Sequence, residues 1–231
     1  MKLALVLPSA NAEPSSRLDA MQEHTAQLVH PLREQAELTM FSEARGISPF
    51  GDGADVLSMV DFDAKGFDRV LFMMGDDPAC AFMLSTLARV GGIVRLFDWG
   101  LGRVARGRWP EIERPGLRGY LRALRVGGFV GARTRLDGEP PLNRPVIRLA
   151  DGFIVPTLAM REQILVERNM PTPIATVDDE LLESEQSQLG QKLVEMLDRF
   201  PAHLAVRKTL IQSAIEGADQ ARAERAAKGK D

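Results

Sequence analysis

Short apolar runs recur along this chain, and each leads through a polar turn into a stretch with apolar residues at helical spacing. The runs are residues 2–7 (KLALVL), 36–41, 69–74 (RVLFMM), 93–97 (IVRLF), 152–155 (GFIV) and 174–177. Runs of this length without strict alternation fit strands buried on both faces. Between the first two, Leu18, Met21, Leu28, Val29 and Leu32 mark a helix. After residues 69–74 come Gly75, Asp76, Asp77 and Pro78, where the Asp77 carboxylate can accept free amides and proline suits a first helical turn. This predicts a helix over residues 79–90, stopped by Gly91-Gly92, and Thr157 predicts a cap for a helix over residues 158–168. Strands alternating with helices imply a parallel sheet covered on both faces, and right-handed crossovers make it doubly wound and Rossmann-like. The pattern places one such α/β domain in residues 1–177, helices over residues 178–216, and a fraying tail over residues 217–231.

Composition excludes a disordered or fibrous chain: 231 residues with 45% hydrophobic and 26% charged content can bury about 70% of their unfolded surface. One cysteine, Cys80, excludes an intrachain disulfide framework and suggests a reducing compartment. No apolar run approaches the ~20 residues of a membrane-spanning helix. The apolar stretch at residues 3–7 is short for a secretion signal. It reads as the first buried strand of a cytoplasmic protein.

Charge is unevenly spread. Residues 103–148 hold eleven arginines, no lysine and four acids, a net +7 in a chain whose total is −3. This basic segment, residues 102–149, reads as a helical insertion between strands and as a local surface for anions. Within it, a helix over residues 117–126 sets Leu117, Tyr120, Leu121 and Leu124 on one face and Arg118, Arg122 and Arg125 on another. Such a helix can lie peripherally on an anionic membrane, grip a phosphate-bearing ligand, or pack on its own domain. Few aromatics interleave with the arginines, which argues against nucleic acid.

Ligands of open parallel sheets bind beyond the carboxyl ends of the strands, here the loops at residues 8–16, 75–78, 98–103 and 156–157. The first loop holds no glycine, so the dinucleotide cradle is absent, as is the Walker pattern, and no cofactor is expected. Asp76 and Asp77 could hold a metal or orient sugar hydroxyls, or serve as a helix cap and its solvated neighbour. Asp98 is placed for ligand contact, with Trp99 as a stacking face, and capping is its alternative role. His24, His30 and His203 share no ligand spacing, so a His/Cys metal site is not expected. Cys80 reads as a small core residue rather than a nucleophile.

Residues 67–103 (FDRVLFMMGDDPACAFMLSTLARVGGIVRLFDWGLGR) resemble a segment in the N-terminal half of bacterial family 4 glycosyltransferases. In that family the strand ends in Gly-Asn-x-Pro-x-His-Ala, and the helix leads into Pro-Gly-Val-Val-Val-Leu-His-Asp. Residues 143–177 resemble the helix, strand, helix and final strand of the same half. The resemblance implies the acceptor domain of a GT-B enzyme, whose cleft closes on a second, nucleotide-sugar-binding domain. Several polar residues of the family pattern are replaced: Phe97 stands at the histidine of Leu-His-Asp, Cys80 at the helix-start histidine, Asp76 at the asparagine, and Pro156-Thr157 at a His-Ser pair. Asp98 keeps the aspartate. Phenylalanine cannot exchange a proton or donate a hydrogen bond. After Val177, 54 residues remain, fewer than a donor domain of well over ~100 residues needs.

These readings converge on a glycosyltransferase-like protein that binds a carbohydrate or a partner without catalysing transfer. An acceptor subunit of a split glycosyltransferase and a small-molecule-binding regulator are the alternatives. A protein partner or second copy would use C-terminal apolar residues Met196, Leu197, Phe200, Leu204, Leu210 and Ile211, unless these close the domain's own core.

Overall fold

A computed structural model describes residues 1–9, 12–136, 140–168, 172–177 and 186–200. Eight strands form one sheet: β1 (Lys2–Val6), β2 (Glu37–Ser42), β3 (Gly46–Ile47), β4 (Asp55–Ser58), β5 (Arg69–Met74), β6 (Ile93–Leu96), β7 (Gly152–Val155) and β8 (Ile174–Thr176). Their order across the sheet is β3-β4-β2-β1-β5-β6-β7-β8, parallel throughout except for β3 against β4. The chain thus builds outward from β1 through β2 to β4, returns to the other side of β1, and continues outward from β5 to β8. That reversal between β1 and β5 is the switch point of a doubly wound, Rossmann-like sheet.

Period-two alternation along each strand sorts the core into two layers. Val6, Phe72, Met74, Val94 and Phe153 meet α2 (Met83–Val90), α5 (Arg144–Leu149) and α6 (Leu158–Arg168) on one face. Leu3, Leu5, Met73, Ile93 and Ile154 meet α1 (Ser16–Gln35) and a helix near the carboxyl end, α7 (Gln186–Asp198), on the other. Strands buried from both sides have no need of polar alternation, which is why they read as continuous apolar runs.

Local signals are met where they were strongest. Asp77 Oδ1 accepts from the Ala79 amide at 2.9 Å, starting a 3-10 turn at Pro78–Cys80 that precedes α2. The expected single helix over residues 79–90 is therefore a turn followed by a shorter helix. Gly91 and Gly92 end it with φ of +72° and +128°. Thr157 Oγ1 accepts from the Met160 amide at 3.3 Å at the start of α6. Strands β3 and β4 carry no sequence signal, because only Val56 among their residues is fully buried.

The basic segment forms α3 (Gly102–Arg108), α4 (Leu117–Arg133) and α5, with Ala105, Ile112, Ala123, Val126 and Leu142 in a small core of their own. Helix α4 runs past the expected residue 126 and breaks at Gly128, where φ is +67°. The expected apolar face is corrected here. Gly119, Ala123 and Val126 point inward, with Tyr120 and Leu124 half-buried, while Leu117 and Leu121 face out beside Arg118 and Arg125. Close approach is the reason: a Cβ at Gly119 would lie within 3.1 Å of the carbonyl oxygens of Glu111, Ile112 and Arg114, so the backbone itself takes the inner position.

Of the C-terminal residues named from sequence, Leu197 and Phe200 are buried and Met196 packs against the same layer. Helix α7 lies along α1, with Gly190 against the Pro31 carbonyl, and the Phe200 ring fills the space above Gly152. Leu204, Leu210, Ile211, the expected helix start at residue 178 and the tail at residues 217–231 lie outside the described residues. Among the described residues, no helix is long and apolar enough to cross a membrane.

Candidate functional site

The loops leaving β1, β5 and β6 meet at the carboxyl edge of the sheet and are tied together by the strand-end aspartates. Asp76, 1% exposed, turns its carboxylate to the start of α3, where Oδ1 accepts from the amides of Arg103 at 2.6 Å and Val104 at 3.2 Å. Its Oδ2 is buried without a hydrogen bond. Burial pushes the Asp76 carboxyl above the usual carboxylate range, while these two amides pull it back and the nearby Asp98 charge adds to the rise. Asp77, 4% exposed, accepts from the Ser15 hydroxyl at 2.7 Å, and Ser15 Oγ in turn accepts from Leu18 N at 3.1 Å as the cap of α1. The Ser9 amide donates to the Ala79 carbonyl at 2.9 Å, closing the β1 loop onto the β5 loop.

Asp76 and Asp77 are thus committed to holding α3, α1 and the β5 turn. The capping role considered for Asp98 falls instead to Asp76. Asp98 receives the Asp76 amide on Oδ2 at 2.8 Å and stands 3.8 Å from Arg17 Nη1 through Oδ1, with a side chain 39% exposed. Trp99 is half-buried against the core, and its carbonyl accepts from Asn143 Nδ2 at 2.8 Å. The indole packs inward rather than lining the space beside Asp98.

That space is a cavity of about 270 Å³ between α1 and the ends of β6 and β7, walled by Arg17, Met21, His24, Arg95, Phe97 and Asp98. Arg95 rises from inside β6, 3% exposed, with its guanidinium 5.3 Å from the centre of the Phe97 ring. The His24 ring also lies near Phe97, its centre 6.3 Å from that of Phe97 and tilted by 37°. The cavity therefore combines two guanidinium groups, one carboxylate, an imidazole and an aromatic face. Guanidinium groups match phosphate and carboxylate geometry, a carboxylate accepts from sugar hydroxyls, and a ring offers an apolar platform.

Of these groups only Asp98 was named from sequence as a ligand contact. Arg95 had a readable signal, a charge in the middle of an apolar strand. Arg17 and His24 had none, because α1 brings them to β6 from some 75 residues away in the chain.

A second hollow, about 530 Å³, lies over the β1–β5 switch point and includes Ser9, Glu13, Glu43, Asp77 and Arg103. Three carboxylates against one guanidinium make it unsuited to an anion. On α4, Arg118, Arg122 and Arg125 lie together, far along the chain from the Asp98 cavity and sharing none of its lining residues. Burial pushes the Cys80 thiol up to about 12, in keeping with a core residue. Among the described residues, no three His, Cys, Asp or Glu side chains gather in a way that would hold a metal ion.

Comparison with known protein families, with curated proteins and with solved structures returned no match.

Proposed function

We propose that this chain is a glycosyltransferase-like α/β domain that binds a small, anionic, sugar-bearing ligand without turning it over. The observation that carries this reading is the convergence of Arg17, Arg95 and Asp98 on one cavity at the carboxyl edge of a parallel sheet. A volume of about 270 Å³ falls just below the ~300 Å³ lower bound for drug-sized ligands, a fit for a monosaccharide phosphate. In such a complex the guanidinium groups meet the phosphate, Asp98 accepts from a hydroxyl, and Phe97 underlies the sugar ring. The absence of turnover follows from Phe97, which has no proton to exchange where the resembling family carries histidine. The reading sets the chain in a reducing cytoplasm, with its one cysteine buried and free.

The acceptor subunit of a split glycosyltransferase is a second reading, favoured by one observation. Asp98, at the position of the family's aspartate, faces the cavity with a partly exposed carboxylate.

Thermal unfolding with a hexose, a hexose phosphate, inorganic phosphate and a nucleotide sugar tests both. The hexose phosphate is expected to raise the unfolding temperature most, since ligand at 100 times its Kd adds about 2.7 kcal/mol, and Arg17→Gln and Asp98→Asn are expected to shrink that shift. No shift with any of the four overturns the binding reading. Turnover of a nucleotide sugar by the chain alone overturns the noncatalytic one, and turnover only after a separate donor domain is added favours the split enzyme.

A further inference from the structure

Helix α4 leaves large apolar side chains in water on a surface crowded with arginines. Leu117 is 70% and Leu121 51% exposed, and beyond the break at Gly128 so are Phe129 (66%) and Val130 (60%). At about 100° per residue, Leu117, Leu121, Arg125 and Arg118 fall within roughly 100° of arc, opposite the inward Gly119, Ala123 and Val126. Leu121 shares a hollow of about 500 Å³ with Arg114, Arg118, Arg122 and Arg125. One carboxylate, Glu111, sits among them and is taken by Arg122 at 2.8 Å. Glu111 also interacts with Arg114, whereas among the described residues Arg118 and Arg125 form no ion pair, so this face presents two uncompensated positive charges around an exposed leucine.

Exposed leucines are costly in water, and a contiguous set of them marks a contact surface. A folded core that needed them would have turned them inward, but the inner positions of this stretch of α4 are occupied by Gly119, Ala123 and Val126. Their partner must therefore be apolar just below its surface and anionic at it. We propose that this face of α4 seats the protein on an anionic lipid bilayer. Leu117 and Leu121 enter the boundary between headgroups and acyl chains, and the arginines extend along that boundary to the lipid phosphates. The patch shares no residue with the Asp98 cavity, so bilayer contact leaves that site's own lining untouched. Nucleic acid is the poorer match, since bases call for interleaved stacking aromatics and the arc of Leu117, Leu121, Arg118 and Arg125 holds none.

Vesicle co-sedimentation of the full chain tests the proposal, using phosphatidylcholine vesicles with and without phosphatidylglycerol at low and high salt. Binding is expected to be at least about tenfold tighter with phosphatidylglycerol and to weaken with salt. Each of Arg118→Gln and Arg125→Gln is expected to weaken it about fivefold. The double variant Leu117→Ser, Leu121→Ser is expected to weaken it at least about tenfold, with unchanged circular dichroism because both side chains are already exposed. Equal binding to neutral vesicles, or no binding to either, overturns the proposal, and this measurement needs no variant. Binding that survives loss of both leucines, or that soluble glycerol phosphate displaces, overturns it in favour of a simple phosphate site. Binding to an acidic polypeptide with no affinity for vesicles overturns it in favour of a protein partner.

Discussion

The Asp76 backbone amide donates to Asp98 Oδ2 at 2.8 Å, while the Asp76 side chain holds the amides of Arg103 and Val104. Two adjacent strand ends, β5 and β6, are thereby locked to each other and to the helix that follows. Asp98 is oriented by backbone, and its remaining oxygen is free to face Arg17 and the cavity. One aspartate is committed to architecture, and the other keeps a partly exposed carboxylate at the cavity.

Asp76 should leave a mark on the pH dependence of stability. Burial raises its folded pKa above the unfolded value of about 3.9, so folding favours the protonated form. The stability this contributes is complete below that unfolded value and is lost as pH rises through the higher folded one. Urea unfolding across this window is expected to show wild type losing stability as pH rises, and Asp76→Asn following a flatter profile. Equally steep profiles would contradict the assignment.

Gly75 is required by close packing rather than by its φ. A Cβ there would stand 2.9 Å from Met21 Sδ and 3.1 Å from Asp98 Oδ2. Gly75→Ala is expected to cost about 1–3 kcal/mol in denaturant unfolding and to reduce stabilisation by a hexose phosphate, because the carboxylate must shift.

Phe200 closes the far edge of the sheet. It is 3% exposed, with its ring over Gly152. Phe200→Ala is expected to destabilise by about 3–5 kcal/mol in equilibrium unfolding. A cost below about 1 kcal/mol would mean that the segment after α7 is not part of the core.

Cys80 should be inert in the folded protein. It is fully buried, and its thiol is pushed up to about 12 by that burial. A colorimetric thiol reagent at neutral pH is expected to detect no free thiol in the native state and one per chain after unfolding.

Much of the architecture could be read locally. Residues 69–74 and 152–155 announced β5 and β7 because strands buried on both faces must be apolar throughout. Asp77, Thr157 and Gly91-Gly92 marked helix boundaries because capping acts over three or four residues. The β3–β4 edge was silent for the converse reason, since an edge that buries one side chain imposes little pattern on its residues.

Partnerships across the fold were beyond such reading. That Asp76 would cap α3, that Arg17 and His24 would come from α1 to face Phe97, and that Leu121 would turn outward all depend on how elements separated in sequence approach one another. Local pattern, carried by near-neighbour sterics and by which residues shun water, specified six of the eight strands, several helix ends and the parallel sheet. Whether a given polar or apolar side chain ends in the core, in a cap or at an open surface was settled by long-range packing, because burial belongs to the assembled layers and not to the residue alone.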